Sequence, residues 1–188
     1  MEKAELRSKY KKLRAKLAPG QLQQISEDVC HHLLVNYKLE NKFVSLFLPI
    51  ERNNELNTYL IWEKLKSFGA KVAVPKANHE TGDLKHILFE QEEQLELSDW
   101  GIPEPKKGKV IAADRFQYVF VPLLALDEKG FRVGYGKGFY DRFLKKCAPS
   151  CRFIGLHHFH ETEMIEDLLP TDVKLHACIT PKGILRFE

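Results

Sequence analysis

Residues 43–74, which read FVSLFLPIERNNELNTYLIWEKLKSFGAKVAV, carry the clearest signal for the type of fold. The first part of this stretch, residues 43–48, is a short apolar run before a proline, which predicts a strand. Residues 55–68 have the apolar spacing of a helix. A second strand is predicted at residues 71–74, again ended by a proline. Strand, helix and strand in succession predict a βαβ unit, which requires a parallel sheet.

The rest of the chain extends this pattern. Residues 90–114 are polar and rich in turn residues, and no internal repeat or interdomain linker is visible. Strands are predicted at residues 84–89, 118–122, 152–157 and 175–179, with 118–122 the best candidate for a central strand, and helices at residues 20–36 and 138–147. This layout predicts an α/β fold, a three-layer α/β/α sandwich with a mainly parallel sheet, as a single domain over residues 1–188.

Residues 1–17 predict a basic amphipathic helix that ends before Pro19. An apolar stripe repeats at helical spacing and comprises Leu6, Tyr10, Leu13 and Leu17. A basic stripe borders it and comprises Lys3, Arg7, Lys11 and Arg14. Residues 1–17 contain seven basic and two acidic side chains, whereas the whole chain has a net charge of only +3. The basic character is therefore local, and it fits either a polyanionic ligand or a solvated helix face.

Composition excludes several classes of protein. Hydrophobic residues make up 44% of the 188 residues, and aromatic residues are spread along the chain, which argues against long disorder. No apolar run is long enough to span a bilayer, and the lysine-rich N-terminus does not resemble a secretory signal. We therefore expect a soluble, cytoplasmic protein with reduced thiols. Cys147 and Cys151 have no second metal-binding pair nearby in sequence, which disfavours a structural zinc site.

The chemistry is predicted at residues 132–141, which read RVGYGKGFYD. Three alternating glycines stand just before a predicted helix, where free backbone N–H groups bind anions. Arg132 and Lys137 add positive charge, so phosphate is the expected ligand class. The segment matches neither a Walker loop nor a dinucleotide-binding fingerprint.

Each residue of this segment also has a structural interpretation. A glycine-rich turn needs no ligand. Phe139 and Tyr140 are suited to core packing at the start of a helix, and Asp141 is suited to the positive end of the helix dipole.

Together with other motifs, the segment resembles the 5-formyltetrahydrofolate cyclo-ligase family over almost the full chain. The motifs are KAELR at 3–7, FLPI at 47–50, NEL at 54–56, GIPEP at 101–105, residues 121–141, PTDV at 170–173 and ITP at 179–181. Tyr135 stands where family members often have a basic residue, and Phe139 stands where they often have tyrosine. The hydroxyl of that tyrosine cannot be essential here.

The resemblance implies an ATP- and Mg²⁺-dependent ligase that converts 5-formyltetrahydrofolate to 5,10-methenyltetrahydrofolate and releases ADP and phosphate. It implies no protein nucleophile. The nucleotide contacts it implies are Lys3, Ala4, Glu5, Leu6, Arg7, Arg132, Val133, Gly134, Tyr135, Gly136, Lys137, Gly138, Phe139 and Tyr140. The folate contacts it implies are Ile50, Glu55, Tyr135, Gly136, Lys137, Gly138 and Phe139. Asp141 and Asp172 are the implied metal ligands.

Simpler interpretations stand beside several of these assignments. Glu55 suits the start of a helix, and Asp172 suits a turn. The histidines at 157, 158 and 160 are expected to be hydrogen-bonded or exposed at a strand end rather than to bind a metal. Trp100 is suited either to stacking on a pterin ring or to packing.

Other functions remain open at the level of sequence. One is a nucleic-acid-binding module that uses the basic helix. Another is a sugar-phosphate isomerase or acyl-CoA transferase, which would not require ATP. A third is a folate-binding family member without turnover, which Tyr135 keeps open. The favoured prediction is a monomeric enzyme whose partners are folate and ATP, with no nucleic acid and no membrane.

Overall fold

The computed structural model describes residues 1–98 and 101–187, so Trp100 lies outside the described residues. The described helices are α1 (Lys3–Ala15), α2 (Pro19–Asn36), α3 (Tyr59–Ser67) and α4 (Phe139–Leu144). The described strands are β1 (Phe43–Ser45), β2 (Lys71–Asn78), β3 (Asp83–Leu88), β4 (Leu95–Leu97), β5 (Pro103–Pro105), β6 (Val110–Ile111), β7 (Tyr118–Pro122), β8 (Ala125–Leu126), β9 (Arg132–Val133), β10 (Arg152–Leu156), β11 (Ala177–Thr180) and β12 (Gly183–Arg186). None of these helices has the length and apolar character needed to cross a membrane.

Eight strands form the central sheet in the order β12-β11-β10-β7-β1-β2-β3-β6. The five strands from β11 to β2 are parallel, and the three outer strands pair antiparallel. Val44 of β1 lies opposite Val72 of β2, with α3 between the two strands in sequence. The predicted βαβ unit and the mainly parallel sheet are therefore confirmed, as is the central place of β7.

Helices cover both faces of the sheet because successive strand residues point to opposite sides. On β7, Phe120 packs with the core under α2 and α3, whereas Val119 and Val121 pack with the core that includes α4. On β2, Val72 packs with the core under α2 and α3, and Ala73 packs with the core that includes α4. The three-layer arrangement is confirmed, although α4, the α-helix that packs on the second face within the described residues, has just six residues.

Several predicted boundaries differ from the structure, and the ends of the first two strands are the clearest cases. The strand predicted at residues 71–74 continues through Pro75 to Asn78. Pairing of β2 with β1 ends at Ala73, so Pro75 pairs only with His86 of β3. A strand with a partner on one side tolerates a residue without an N–H group. The first strand is shorter than predicted, since β1 ends at Ser45.

The region between β1 and α3 also differs from the prediction. A 3₁₀ turn at Glu51–Asn53 is followed by Asn54 in the left-handed conformation, with φ of 45°. The helix therefore begins at Tyr59 rather than at residue 55. This irregular stretch leaves Glu55 off any helix, so a helix-start role for it is wrong.

The helix α1 packs across the β8–β9 hairpin, which the sequence analysis did not predict as strands. Leu6 and Tyr10 of α1 share a core with Leu124 and Val133. The Asp127 carboxylate holds the hairpin turn by accepting the N–H groups of residues 129 and 131 at 2.9 and 2.7 Å. This packing places α1 beyond the carboxyl ends of the parallel strands, where α/β proteins bind their ligands.

Candidate active site

A cavity of about 920 Å³ opens between α1, the carboxyl ends of the parallel strands and the glycine-rich segment. It brings together most of the residues that the sequence analysis assigned to a site. Those that line it are Lys3, Arg7, Ile50, Glu55, Arg132, Gly134, Tyr135, Gly136, Lys137, Gly138, Phe139, Tyr140, Asp141 and Asp172. Both predicted halves of the site, nucleotide and folate, thus share one space.

Four predicted nucleotide contacts do not line this cavity. Leu6 and Val133 are fully buried in the core beneath α1, and Ala4 and Glu5 are exposed. The helical period explains the division on α1, because Lys3 and Arg7 lie one turn apart on the cavity side. The assignment of these four residues to the nucleotide stays a prediction.

The hairpin strand β9 aims Arg132 at the cavity. Val133 points into the core, so the neighbouring Arg132 points to the opposite side. The Arg132 guanidinium donates to the Val173 carbonyl at 2.6 Å and to Asp141 Oδ1 at 3.0 Å. Arg132 thereby joins three parts of the site: the hairpin, the first turn of α4 and the loop that contains Asp172.

The glycine-rich segment follows directly and is tied to α1. Arg7 Nε donates to the Gly134 carbonyl at 2.9 Å. Gly136 and Gly138 have φ of +93° and +67°, a region that L side chains rarely adopt. Gly134 has no such constraint, and a Cβ there would meet nothing within 4 Å. Two of the three glycines are therefore required by the local backbone before any ligand is considered.

Substitution of Gly138 is expected to destabilise the protein. Gly138→Ala would place a Cβ 2.9 Å from Arg142 Nη1 at a left-handed φ, at a cost of about 1–2 kcal/mol in the free energy of unfolding. Gly20→Ala in α2 is the matched control, since its Cβ meets nothing within 4 Å and it should stabilise by up to about 0.5 kcal/mol. Urea denaturation measures both, and equal free energies for the two variants would contradict this reading.

The carboxylates of Asp141 and Asp172 each engage the protein through one oxygen. Oδ1 of Asp141 accepts from Arg132 and from the Val173 N–H, both at 3.0 Å. Oδ2 of Asp172 accepts from Lys3 Nζ at 2.5 Å and from the Leu169 N–H at 2.7 Å. Within residues 1–98 and 101–187, the second oxygen of each carboxylate has no protein hydrogen bond in the structure.

This donor set fits Mg²⁺. No cluster of three or more His, Cys, Asp or Glu side chains suited to a metal occurs among the described residues. Mg²⁺ commonly takes only one or two carboxylates and completes its shell with water and substrate phosphates. Two cavity-lining carboxylates with one open oxygen each meet that requirement, whereas a zinc-type cage is not built here.

Glu55 is the most deeply buried acid of the cavity, with 5% of its surface exposed. Tyr135 donates its hydroxyl hydrogen to Glu55 Oε1, and the Ile50 N–H donates to Oε2 at 2.9 Å. Burial raises the pKa of Glu55, while these two hydrogen bonds and the charge of Arg14 lower it. Both oxygens are thus fixed in orientation, each with a lone pair left for a ligand donor.

Tyr140 has a buried hydroxyl that lacks a hydrogen-bond partner among the described residues. Burial raises the pKa of this phenol most, and the negative charge of Glu55 raises it further. A buried polar atom without a partner costs free energy, and a bound ligand is one way to satisfy it. Tyr140 also packs against the core that includes α4, as its simpler interpretation predicts, and it is one of the residues that line the cavity.

Several residues that line the cavity were not predicted from the sequence as site residues. Lys11 lies on the same basic stripe as Lys3 and Arg7, so helical spacing contained the signal. Glu104, in the GIPEP motif, accepts the Ala77 N–H at 2.9 Å. Other lining residues include Arg52, Arg142, Lys145 and Asp167. The last three carried no pattern that set them apart from ordinary surface charges.

The cavity has an excess of positive charge. Among the described residues that line it, eight are Lys or Arg and five are Asp or Glu. Two members of the basic stripe of α1 are buried, since Lys3 is 7% and Arg14 2% exposed, whereas Arg7 is half-buried and Lys11 is exposed. A concave, basic site favours an anionic small molecule over the extended groove that a nucleic acid needs.

The histidine cluster after β10 faces inward. His158 Nε2 lies 2.8 Å from the Asn54 carbonyl oxygen, and His160 Nδ1 lies 2.8 Å from Thr180 Oγ1. His157 is fully buried and has no hydrogen-bond partner among the described residues. The expectation of hydrogen-bonded or exposed histidines is confirmed for His158 and His160 and is wrong for His157.

A mainly parallel sheet with a basic cavity at its carboxyl edge is typical of α/β proteins that bind an anionic small molecule. The sequence profile of the 5-formyltetrahydrofolate cyclo-ligase family matches residues 1–181. This chain therefore belongs to that family, whose members are ligases of folate one-carbon metabolism.

Individual relatives agree along most of the chain. The 5-formyltetrahydrofolate cyclo-ligases of Haemophilus influenzae and Escherichia coli are each 28% identical, over 177 and 182 residues, and both alignments cover 91% of this chain. They cover 91% and 96% of those relatives. The solved 5,10-methenyltetrahydrofolate synthetase of Aquifex aeolicus superposes with a TM-score of 0.81 at 25% identity, over 100% of this chain and 94% of that one.

Proposed function

We propose that this protein converts 5-formyltetrahydrofolate to 5,10-methenyltetrahydrofolate, with consumption of ATP in the presence of Mg²⁺ and release of ADP and phosphate. The observation that carries the proposal is the lining of one cavity, which combines basic side chains, two carboxylates with an open oxygen each and the buried Glu55. We assign the basic side chains and the two carboxylates to a phosphate end, and Glu55 to a folate end. We assign the glycine-rich segment to the space between them.

The reaction has a specific chemical difficulty that such a cavity addresses. The formyl group on N5 is an amide, so resonance makes its carbon a poor electrophile and its oxygen a poor leaving group. Transfer of the γ-phosphoryl group from ATP to the formyl oxygen forms ADP and activates the carbon. Folate N10 then attacks this carbon, the ring closes and phosphate leaves. The protein needs to position the reactants and stabilise phosphoryl charge, without a nucleophile of its own.

The basic end supplies the charges for a triphosphate. Lys3, Arg7 and Arg132 approach it from α1 and β9, and Lys137 lies on the glycine-rich segment itself. Because α4 has only six residues, its dipole is weak, and we assign most of the attraction to these side chains. Asp141 and Asp172 would hold Mg²⁺, which when bound neutralises phosphate charge.

The other end suits a pterin ring. Phe47, Leu48 and Ile50 provide apolar walls, and the Glu55 carboxylate faces the same space. The N–H donors of a pterin match a carboxylate whose oxygens are already oriented. In this arrangement the formyl group lies beside the segment from Tyr135 to Phe139, where it would meet the phosphoryl donor.

The presence of Tyr135 in place of a basic residue is compatible with an active enzyme. Its hydroxyl is engaged with Glu55, so it belongs to the folate end, and four basic residues remain at the phosphate end. Lys11 Nζ also lies 5.6 Å from the centre of the Tyr135 ring and keeps a positive charge close to this position. We therefore favour an active enzyme over a folate-binding protein.

The decisive experiment is a turnover assay on purified protein with 5-formyltetrahydrofolate, ATP and Mg²⁺, followed through the near-ultraviolet band of the methenyl product. Product is expected with one ADP released per ring closed. It should be absent without ATP, with excess chelator, or with an ATP analogue that cannot transfer its γ-phosphoryl group. Folate binding without product would identify a binding protein instead, and product without ATP would contradict the mechanism.

A further inference from the structure

Arg14 is a buried cation that the proposed chemistry does not use. It lies at the end of α1, is 2% exposed and does not line the cavity. Its guanidinium forms no ion pair within 4 Å with a carboxylate of residues 1–98 or 101–187. A buried charge without a partner is costly, so its position calls for a compensating interaction.

The buried charge of Arg14 is linked to a carboxylate through the hydroxyl group of Tyr135. Arg14 Nη1 donates to Tyr135 Oη at 3.2 Å, and Tyr135 in turn donates to Glu55 Oε1. Arg14 Nη2 donates to the Leu123 carbonyl, which fixes the plane of the guanidinium. The Arg14 backbone carbonyl also accepts from Asn54 Nδ2 at 2.9 Å, next to Glu55 in sequence. Arg14, Tyr135 and Glu55 thus form a hydrogen-bonded chain from the core to the cavity.

We infer that Arg14 is a positioning residue, which acts through the Tyr135 hydroxyl to hold the Glu55 carboxylate ionised and oriented toward the folate. This inference rests on the proposed function only for the identity of the ligand. An ionised Glu55 accepts two N–H donors, whereas a protonated Glu55 presents a hydroxyl group that clashes with one of them. The buried cation therefore determines which ligand chemistry the cavity recognises.

The other titratable groups near Arg14, Tyr135 and Glu55 do not carry a charge that could replace that of Arg14. Glu55 is faced by Tyr135 from the glycine-rich segment, by Tyr140 from α4 and by Arg14 from α1. Burial raises the pKa of both tyrosines, so they stay neutral. Near Arg14 lie His157 and His158, whose pKa values burial lowers, that of His157 to about 3. Burial raises the pKa of Glu55 as well, whereas the hydrogen bonds from Tyr135 and Ile50 and the charge of Arg14 lower it, so Glu55 is the acid of this cluster whose charge depends on Arg14.

The first test reads the titration of Glu55 without any ligand. Carbon-13 NMR of glutamate-labelled protein, with the Glu55 signal assigned from Glu55→Gln, gives its titration midpoint. Arg14→Met and Tyr135→Phe are each expected to raise this midpoint by about one pH unit, and the double variant should raise it no further. Lys12→Met removes an exposed charge of the same helix and should leave it unchanged. If Arg14→Met does not fold, Tyr135→Phe and Arg14→Lys test the same link.

The second test measures the affinity for 5-formyltetrahydrofolate and for ATP between pH 5 and 9. Arg14→Met is expected to weaken folate binding at pH 7 about tenfold, with ATP affinity changed less than twofold. If the wild type binds no folate but Arg14→Met still shifts the Glu55 midpoint, the positioning role is supported and the proposed substrate is rejected. An unchanged midpoint and unchanged folate affinity in folded Arg14→Met overturn the inference.

Discussion

Asp141→Asn is expected to abolish most of the turnover while leaving the fold intact. The Asp141 carboxylate uses only Oδ1 to accept from Arg132 and the Val173 N–H. An asparagine side-chain oxygen can accept both hydrogen bonds, so the contacts that join α4 to the neighbouring loop survive. What the substitution removes is the negative charge and the open second oxygen. Both are needed to hold Mg²⁺ against phosphate.

We expect turnover to fall about 100-fold or more, with a higher half-saturating Mg²⁺ concentration. The measurement is the initial rate of methenyl product formation across a Mg²⁺ titration, together with a thermal melt. Asp83→Asn is the matched control, since Asp83 forms an exposed ion pair with Lys146 at 2.6 Å and does not line the cavity. It should retain wild-type rates. A similar loss in both variants, or full activity in Asp141→Asn, would rule out the metal assignment.

The parts of the fold that could be predicted are those in which local pattern and tertiary packing agree. Residues 43–74 contain an apolar strand, an amphipathic helix and a second apolar strand. The helix α3 buries the apolar face that its periodicity defines, and the strands β1 and β2 lie between the cores on the two faces of the sheet. Pro75 shows the limit. Whether a proline ends a strand depends on whether a neighbouring strand needs its N–H group, and this is a property of the sheet rather than of the local sequence.

The site residues also differ in how far they could be predicted from the local sequence. Lys3 and Arg7 could be predicted because helical spacing puts them on one face of α1, and the glycine segment stood out by composition alone. Glu55 and Asp172 came from resemblance, since their local contexts look like a helix start and a turn. Arg14 was visible on the basic stripe, yet its role depends on contacts with residues more than 40 positions away in sequence. Long-range hydrogen bonds of this kind leave no periodic signal.

Arg132→Met is expected to give the largest loss of stability among substitutions around the cavity. Arg132 is 8% exposed and joins β9 to Asp141 and to the Val173 carbonyl. Methionine approximates the length of the arginine stem, so the substitution removes the guanidinium with little change in packing. Asp141 is then left without its cation, and the Val173 carbonyl without its donor. We expect the free energy of unfolding to fall by about 3 kcal/mol, less than for a fully buried pair because the Asp141 side chain is 25% exposed.

The double variant Arg132→Met with Asp141→Asn separates the cost of the unpaired Asp141 charge from the loss of the other Arg132 contacts. If the loss in Arg132→Met comes mainly from the uncompensated carboxylate, its neutralisation should recover about half of the lost free energy. Urea denaturation of the wild type, both single variants and the double variant gives this coupling. Arg152→Met, at the exposed first residue of β10, should change stability by less than about 0.5 kcal/mol. Strictly additive effects would mean that Arg132 stabilises the site through Val173 alone, and that the ion pair with Asp141 serves ligand binding rather than folding.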